Sequence, residues 1–180
     1  MKKMICLCML CILGITGCDN ASNSNQNALL YAENGEYNCT PQQLIDTINQ
    51  FIQDTGDSRY CIIPDYAASG EEIEIIGDGI LSCLSLTLYE NDDGMLTKIE
   101  VDRNTFEEPV DSFNTYAAIL GFLIGSISPD DSEEIMTQLD FENPSTNEYT
   151  TTAESNGTRY TYDYQLKGMY QYLTIEPESK

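Results

Sequence analysis

The residues best suited by type to chemistry are adjacent carboxylates: Glu71-Glu72, Glu107-Glu108, Asp130-Asp131 and Glu133-Glu134. Two carboxyl groups facing one another across a glycosidic bond can act as acid and base in glycan hydrolysis. Adjacency along the chain does not create that opposed geometry, and Asp130 to Glu134 reads better as the acidic first turn of a helix. The chain has no histidine, so a Ser/His/Asp or Cys/His nucleophilic site cannot be built. A carboxylate-dependent, glycan-directed envelope hydrolase is the enzymatic alternative. The sequence points instead to a domain with no catalytic residues and no cofactor.

The stretch YENDDGMLTKIE, residues 89 to 100, resembles a calcium-binding EF-hand loop: acidic or amide residues at the third and fifth positions, glycine at the sixth and glutamate at the twelfth. Its first position is Tyr89 where a carboxylate is required, and its flanks alternate with period two where the motif needs helices. The reading is therefore a hairpin tip, with no metal site. Taking Asp93-Gly94 as a two-residue type I′ turn sets Leu88 opposite Ile99, Leu86 opposite Val101 and Tyr89 opposite Lys98. A one-residue slip would set leucines against Lys98 and Glu100.

The first residues, MKKMICLCMLCILGITGCDN, have the layout of a secretory signal: two lysines, an apolar run, then small residues before a cysteine. The run is about a dozen residues, short of the roughly 20 that span a bilayer. Ile15-Thr16-Gly17-Cys18 resembles the bacterial lipobox. The resemblance implies cleavage after residue 17 and a lipid thioether on Cys18, which would hold the protein on a cell membrane facing outside the cytoplasm, at the surface or in the periplasm. Residues 18–27 are then the lipidated cysteine and a polar, flexible tether, and residues 28–180 a single domain.

Acids outnumber bases 30 to 8, a net charge of −22. Without Lys2 and Lys3 the balance is −24, a surface that repels nucleic acid. Of seven cysteines, Cys6, Cys8, Cys11 and Cys18 belong to the signal and anchor. Cys39, Cys61 and Cys83 remain, in a compartment that permits disulfides. A helix starting at residue 41 and a strand returning through residues 57–61 would bring Cys61 back beside Cys39, so Cys39–Cys61 is the expected bridge, with Cys83 reduced.

The helix start is explicit: Thr40 as N-cap, Pro41 at the first position, Gln43 closing a capping box, and Gly56 past the end. Leu44, Ile45, Ile48, Phe51 and Ile52 share one face. A second helix, from about Ser112 to Ser126, is apolar nearly all round and so central to the core, with Phe113, Tyr116, Ala117, Leu120 and Ile124 as one stripe. Ser128-Pro129 starts a third, carrying Ile135, Met136 and Leu139. Asn156-Gly157 and Lys167-Gly168 organise the last forty residues as a β-meander, pairing Tyr149 with Tyr164, Ala153 with Tyr160 and Tyr162 with Leu173. The predicted fold is α+β, an antiparallel sheet packed against helices. A capped helix followed by antiparallel strands occurs twice, at residues 40–102 and 128–176. This tandem of helix plus meander resembles, in topology alone, the beta-lactamase inhibitor protein architecture.

The meander places Tyr170 and Tyr172 on one face with Thr161, Asp163 and Gln165. Tyrosines presented this way form a contact patch for a protein or carbohydrate partner. The expectation is a non-enzymatic lipoprotein that binds or inhibits another macromolecule.

Overall fold

The computed structural model describes residues 29–56, 62–75, 84–104, 110–140, 148–165 and 170–178, without the side chains of residues 110–114. Among the described residues eight strands and three helices follow in the order β1 (Ala32–Glu33), β2 (Glu36–Tyr37), α1 (Pro41–Thr55), β3 (Glu72–Glu74), β4 (Leu84–Glu90), β5 (Leu96–Asn104), α2 (Val110–Ile127), α3 (Ser132–Gln138), β6 (Tyr149–Ser155), β7 (Thr158–Gln165) and β8 (Tyr170–Pro177). β1 and β2 form a small hairpin. The other six strands make one antiparallel sheet in the order β3-β4-β5-β8-β7-β6.

The local signals act as expected at α1. Thr40 accepts from the Gln43 amide, Gln43 accepts from the Thr40 amide, and Gly56 closes the helix in the left-handed conformation at φ 64°. Leu44, Ile45, Ile48 and Ile52 are buried. α2 runs longer than predicted, and Ile119, Leu120, Phe122, Leu123, Ile124 and Ile127 are buried on it. Its exposed stripe is Ala117 and Gly121, so Ala117 does not belong to the core face assigned to it. Small residues tolerate that position because little apolar area is left in water.

α3 departs from its predicted start. It begins at Ser132, with Asp131 at the N-cap position. Ser128 does not cap it. Its hydroxyl lies 2.8 Å from the Tyr160 hydroxyl inside the core, where an unpaired phenol would be costly.

All three predicted hairpin registers hold. Asn156 and Gly157 take φ 52° and 70°, the paired positive values of a type I′ turn, and Tyr149↔Tyr164 through Ser155↔Thr158 follow. Tyr162↔Leu173 pairs as predicted, the turn at residues 166–169 lying outside the described residues. Leu86↔Val101 and Leu88↔Ile99 pair as predicted too, but by another route. The β4–β5 turn runs from Asn91 to Gly94, with the Gly94 amide donating to the Asn91 carbonyl at 2.9 Å and Gly94 at φ 76°. The shorter offset this sets at Glu90↔Leu96 is undone by a bulge before Tyr89↔Lys98. A turn and a compensating bulge thus give the register of a two-residue turn. Strands flank this tip where an EF-hand has helices.

The β4–β5 and β7–β8 hairpins are related by a shift of 74 residues, which the edge strands β3 and β6 do not follow. It carries Leu86↔Val101 onto Tyr160↔Ile175 and Leu88↔Ile99 onto Tyr162↔Leu173. β5 and β8 meet at the centre, where Glu100 pairs with Thr174, its own equivalent. These two hairpins of the predicted tandem are thus related about an axis between β5 and β8, but the same shift carries α1 onto residues 115–129, which lie mostly on α2 and not on the predicted helix at Ser128-Pro129. One face packs on the helices: Leu86, Leu88, Ile99, Val101, Tyr160, Tyr162, Leu173 and Ile175 are fully buried.

Candidate functional site

Period-two alternation sends the residues between these core positions to the face away from the helices. Pairing across the sheet arranges them in rows. One row reads Glu72, Thr87, Glu100, Thr174, Thr161, Thr152, and the next Glu74, Ser85, Asp102, Tyr172, Asp163, Thr150. Asn104, Tyr170 and Gln165 form a third. All five predicted contact residues, Thr161, Asp163, Gln165, Tyr170 and Tyr172, thus share one face. The rings of Tyr170 and Tyr172 stack, with centroids 6.3 Å apart and planes 10° from parallel. Asp163 accepts a hydrogen bond from the Thr150 hydroxyl.

A cavity of about 210 Å³ opens beside the tyrosines, lined by Glu72, Glu74, Leu84, Ser85, Asp102, Arg103, Asn104, Tyr170 and Tyr172. Its carboxylates come from two strands, Glu72 and Glu74 from β3 and Asp102 from β5. Asp102 is pushed up to about 6, first by burial and then by the charges of Glu100 and Glu72. Tyr172 is also raised, by burial and then by the charges of Asp102, Tyr170 and Glu72. Both shifts record negative charge crowded into a partly desolvated place.

The opposite corner of the same face is neutralised. The Lys98 ammonium lies 2.8 Å from Glu100 Oε1 and 3.7 Å from the centre of the Tyr89 ring. The Tyr89 hydroxyl donates to Glu100 Oε2 at 2.9 Å. That hydrogen bond is the main reason the Tyr89 phenol is raised. Desolvation alone would lower Lys98, but its bond to Glu100 and the surrounding negative charge leave it raised.

The predicted carboxylate pairs are not brought together as pairs. Glu71 and Glu72 are exposed, with Glu72 on β3. Glu107 and Glu108 lie outside the described residues. Asp130 is exposed, Asp131 accepts from the Ser155 hydroxyl, and Glu133 and Glu134 occupy the first turn of α3. The cavity gathers Glu72 with Glu74 and Asp102, which adjacency does not suggest. Sequence reasoning passed over Asp102, Glu74, Ser85 and Asn104, for the reason that no turn joins β5 to β8 to reveal their pairing. The alternation in β5, which sets Lys98, Glu100 and Asp102 on one face, was the available signal.

Cys39 is buried with a free thiol, pushed up to about 11 by that burial. Cys61, its predicted partner, and Cys18, the predicted lipidation site, lie outside the described residues. Among the described residues no group of three or more His, Cys, Asp or Glu is placed to hold a metal ion, and no helix is long and apolar enough to cross a membrane. Comparison with known protein families, curated proteins and solved structures found no match to this chain.

Proposed function

We propose that the chain is an exported lipoprotein, anchored through Cys18 and displayed outside the cytoplasm, whose domain is a non-enzymatic binding module. The anchoring rests on the sequence layout around Ile15-Thr16-Gly17-Cys18. One observation carries the binding role: the stacked Tyr170 and Tyr172 stand with Thr161, Asp163 and Gln165 on the face the helices do not cover. Tyrosine offers a large contact area with few rotamers to freeze, and its hydroxyl tolerates both wet and buried states.

Two measurements test this. Metabolic labelling with an alkyne fatty acid should mark the protein and not Cys18→Ser; equal labelling of both refutes the anchor. Capture of partners from the native envelope should fall about tenfold or more for the Tyr170→Ala/Tyr172→Ala double variant, two aromatic anchors being removed. Unchanged capture refutes the face.

The raised Asp102 beside Glu72 and Glu74 favours a second reading, the carboxylate-dependent glycan hydrolase, since a carboxyl pushed up to about 6 is protonated in mildly acidic solution and can act there as a general acid. Release of reducing ends from purified envelope glycan, abolished by Asp102→Asn, would establish that reading over the first.

A further inference from the structure

Tyr89 and Tyr172 stand on the same sheet face, the first beside a paired cation and carboxylate and the second between two carboxylates. At Tyr89, the cross-strand neighbour is Lys98, and ring, ammonium and the Glu100 carboxylate form a closed cluster. The shift of 74 residues that relates the two hairpins carries the pair Tyr89↔Lys98 onto Asp163↔Tyr172. There the cation's position is taken by a ring and the ring's position by an acid. Tyr172 lies in its row between Asp102 and Asp163. Among the described residues no basic group forms an ion pair with either carboxylate. Arg103 lines the same cavity, but its Nη1 donates to Gln171 at 2.7 Å and its guanidinium lies 5.5 Å from the centre of the Tyr116 ring on the helix side.

Building on the binding-module reading, we infer that the Tyr170–Tyr172 end of this face docks a basic polypeptide segment. A lysine or arginine side chain of that segment completes at Tyr172 the ring–cation–carboxylate cluster that Lys98 completes at Tyr89. Charge complementarity selects this occupant. A net charge of −22 steers a polycation toward the protein and repels an anionic polymer. A neutral glycan would leave Asp102 and Asp163 without counter-charge, whereas a cation over an aromatic face is attracted by the ring and by both carboxylates at once. The stacked Tyr170 extends the aromatic surface along β8.

The test measures binding of fluorescent nonalysine to the full chain in detergent, at about 20 and about 200 mM salt, to read its electrostatic part. Tyr172→Ala and Asp102→Asn should each weaken binding about five- to tenfold, the loss of one cation–aromatic or one charge contact. Glu133→Gln/Glu134→Gln, which removes two charges from α3, should change it less than about twofold, the two sites being screened from the face. Circular dichroism confirms that each variant is folded. Equal weakening by the α3 variant, no binding at the lower salt, or binding indifferent to Tyr172→Ala overturns the inference. A neutral N-acetylglucosamine oligomer is run in parallel. If it binds in a Tyr172-dependent way while nonalysine does not, the basic partner is refuted and the binding face stands.

Discussion

Leu86 and Leu88 fill the core positions in the first half of the sheet that Tyr160 and Tyr162 fill in the second. On the other face, Lys98 fills the position that Tyr172 fills. One backbone geometry thus carries two chemistries. The first half packs leucines inside and closes one corner of its polar face with the Lys98–Glu100–Tyr89 cluster, while its other acids, Glu72, Glu74 and Asp102, gather at the cavity beside Tyr172. The second half buries phenols that must find partners, such as the Ser128–Tyr160 pair, and shows a face with acids in excess. On the proposed reading recognition falls to the tyrosines of the second half, and the leucine half is expected to contribute more to stability.

The contrast can be broken by substitution, and the largest effect is expected in the leucine half. Leu88→Ala should cost about 2–5 kcal/mol in urea unfolding, the transfer loss plus the cavity left at a fully buried site. A smaller loss than that of Tyr160→Phe would reverse the assignment of stability. Tyr160→Phe should cost about 1–2 kcal/mol, because it keeps the ring but strands the buried Ser128 hydroxyl.

Asp102→Asn should instead stabilise. The folded carboxyl is raised to about 6, so the folded state binds its proton more tightly than the unfolded state does, and stability falls as pH rises from about 4 to about 6. Above that range the asparagine variant should gain about 1 kcal/mol, a figure discounted for partial exposure, and below about pH 4 the gain should vanish. The groups around Asp102 are Glu72 and Glu74 on β3, Glu100 and Arg103 on β5, Asp163 on β7, Tyr170 and Tyr172 on β8, and Tyr116 on α2. Unfolding curves at three pH values decide it, and a pH-independent difference would remove the carboxyl's crowding from the contrast. The smallest effect belongs to Lys98→Met, which breaks a partly exposed ion pair and should cost less than about 1 kcal/mol at low salt and nearly nothing at high salt.

Features set by neighbours in sequence were legible. Thr40, Pro41, Gln43 and Gly56 mark the ends of α1 because caps satisfy backbone groups locally. Asn156-Gly157 fixes a register because both residues accept positive φ, and the five contact residues on β7 and β8 followed from pairing across one hairpin. The β1–β2 hairpin was passed over. Its turn is Asn34-Gly35 at φ 55° and 85°, but two-residue strands have no period to read. Ser128 misled because a hydroxyl before Pro129 reads as a cap, while the chain spends it on Tyr160. Asp102 was passed over because its neighbour Tyr172 lies on a strand 66 or more residues beyond the end of β5. Pairing over that separation is set by packing of both halves at once.

The β5–β8 seam also decides whether the molecule can be divided. Severed there, either half would be a three-stranded meander whose outermost strand is the one the whole sheet encloses, β5 with Ile99 and Val101 or β8 with Leu173 and Ile175. An edge of that kind presents unpaired amides and carbonyls beside an apolar row, and it joins any strand it meets. The repeat is therefore not modular. Each half acts as the other's protection against self-association, and a fragment made to isolate the tyrosine face would carry a sticky edge along with it.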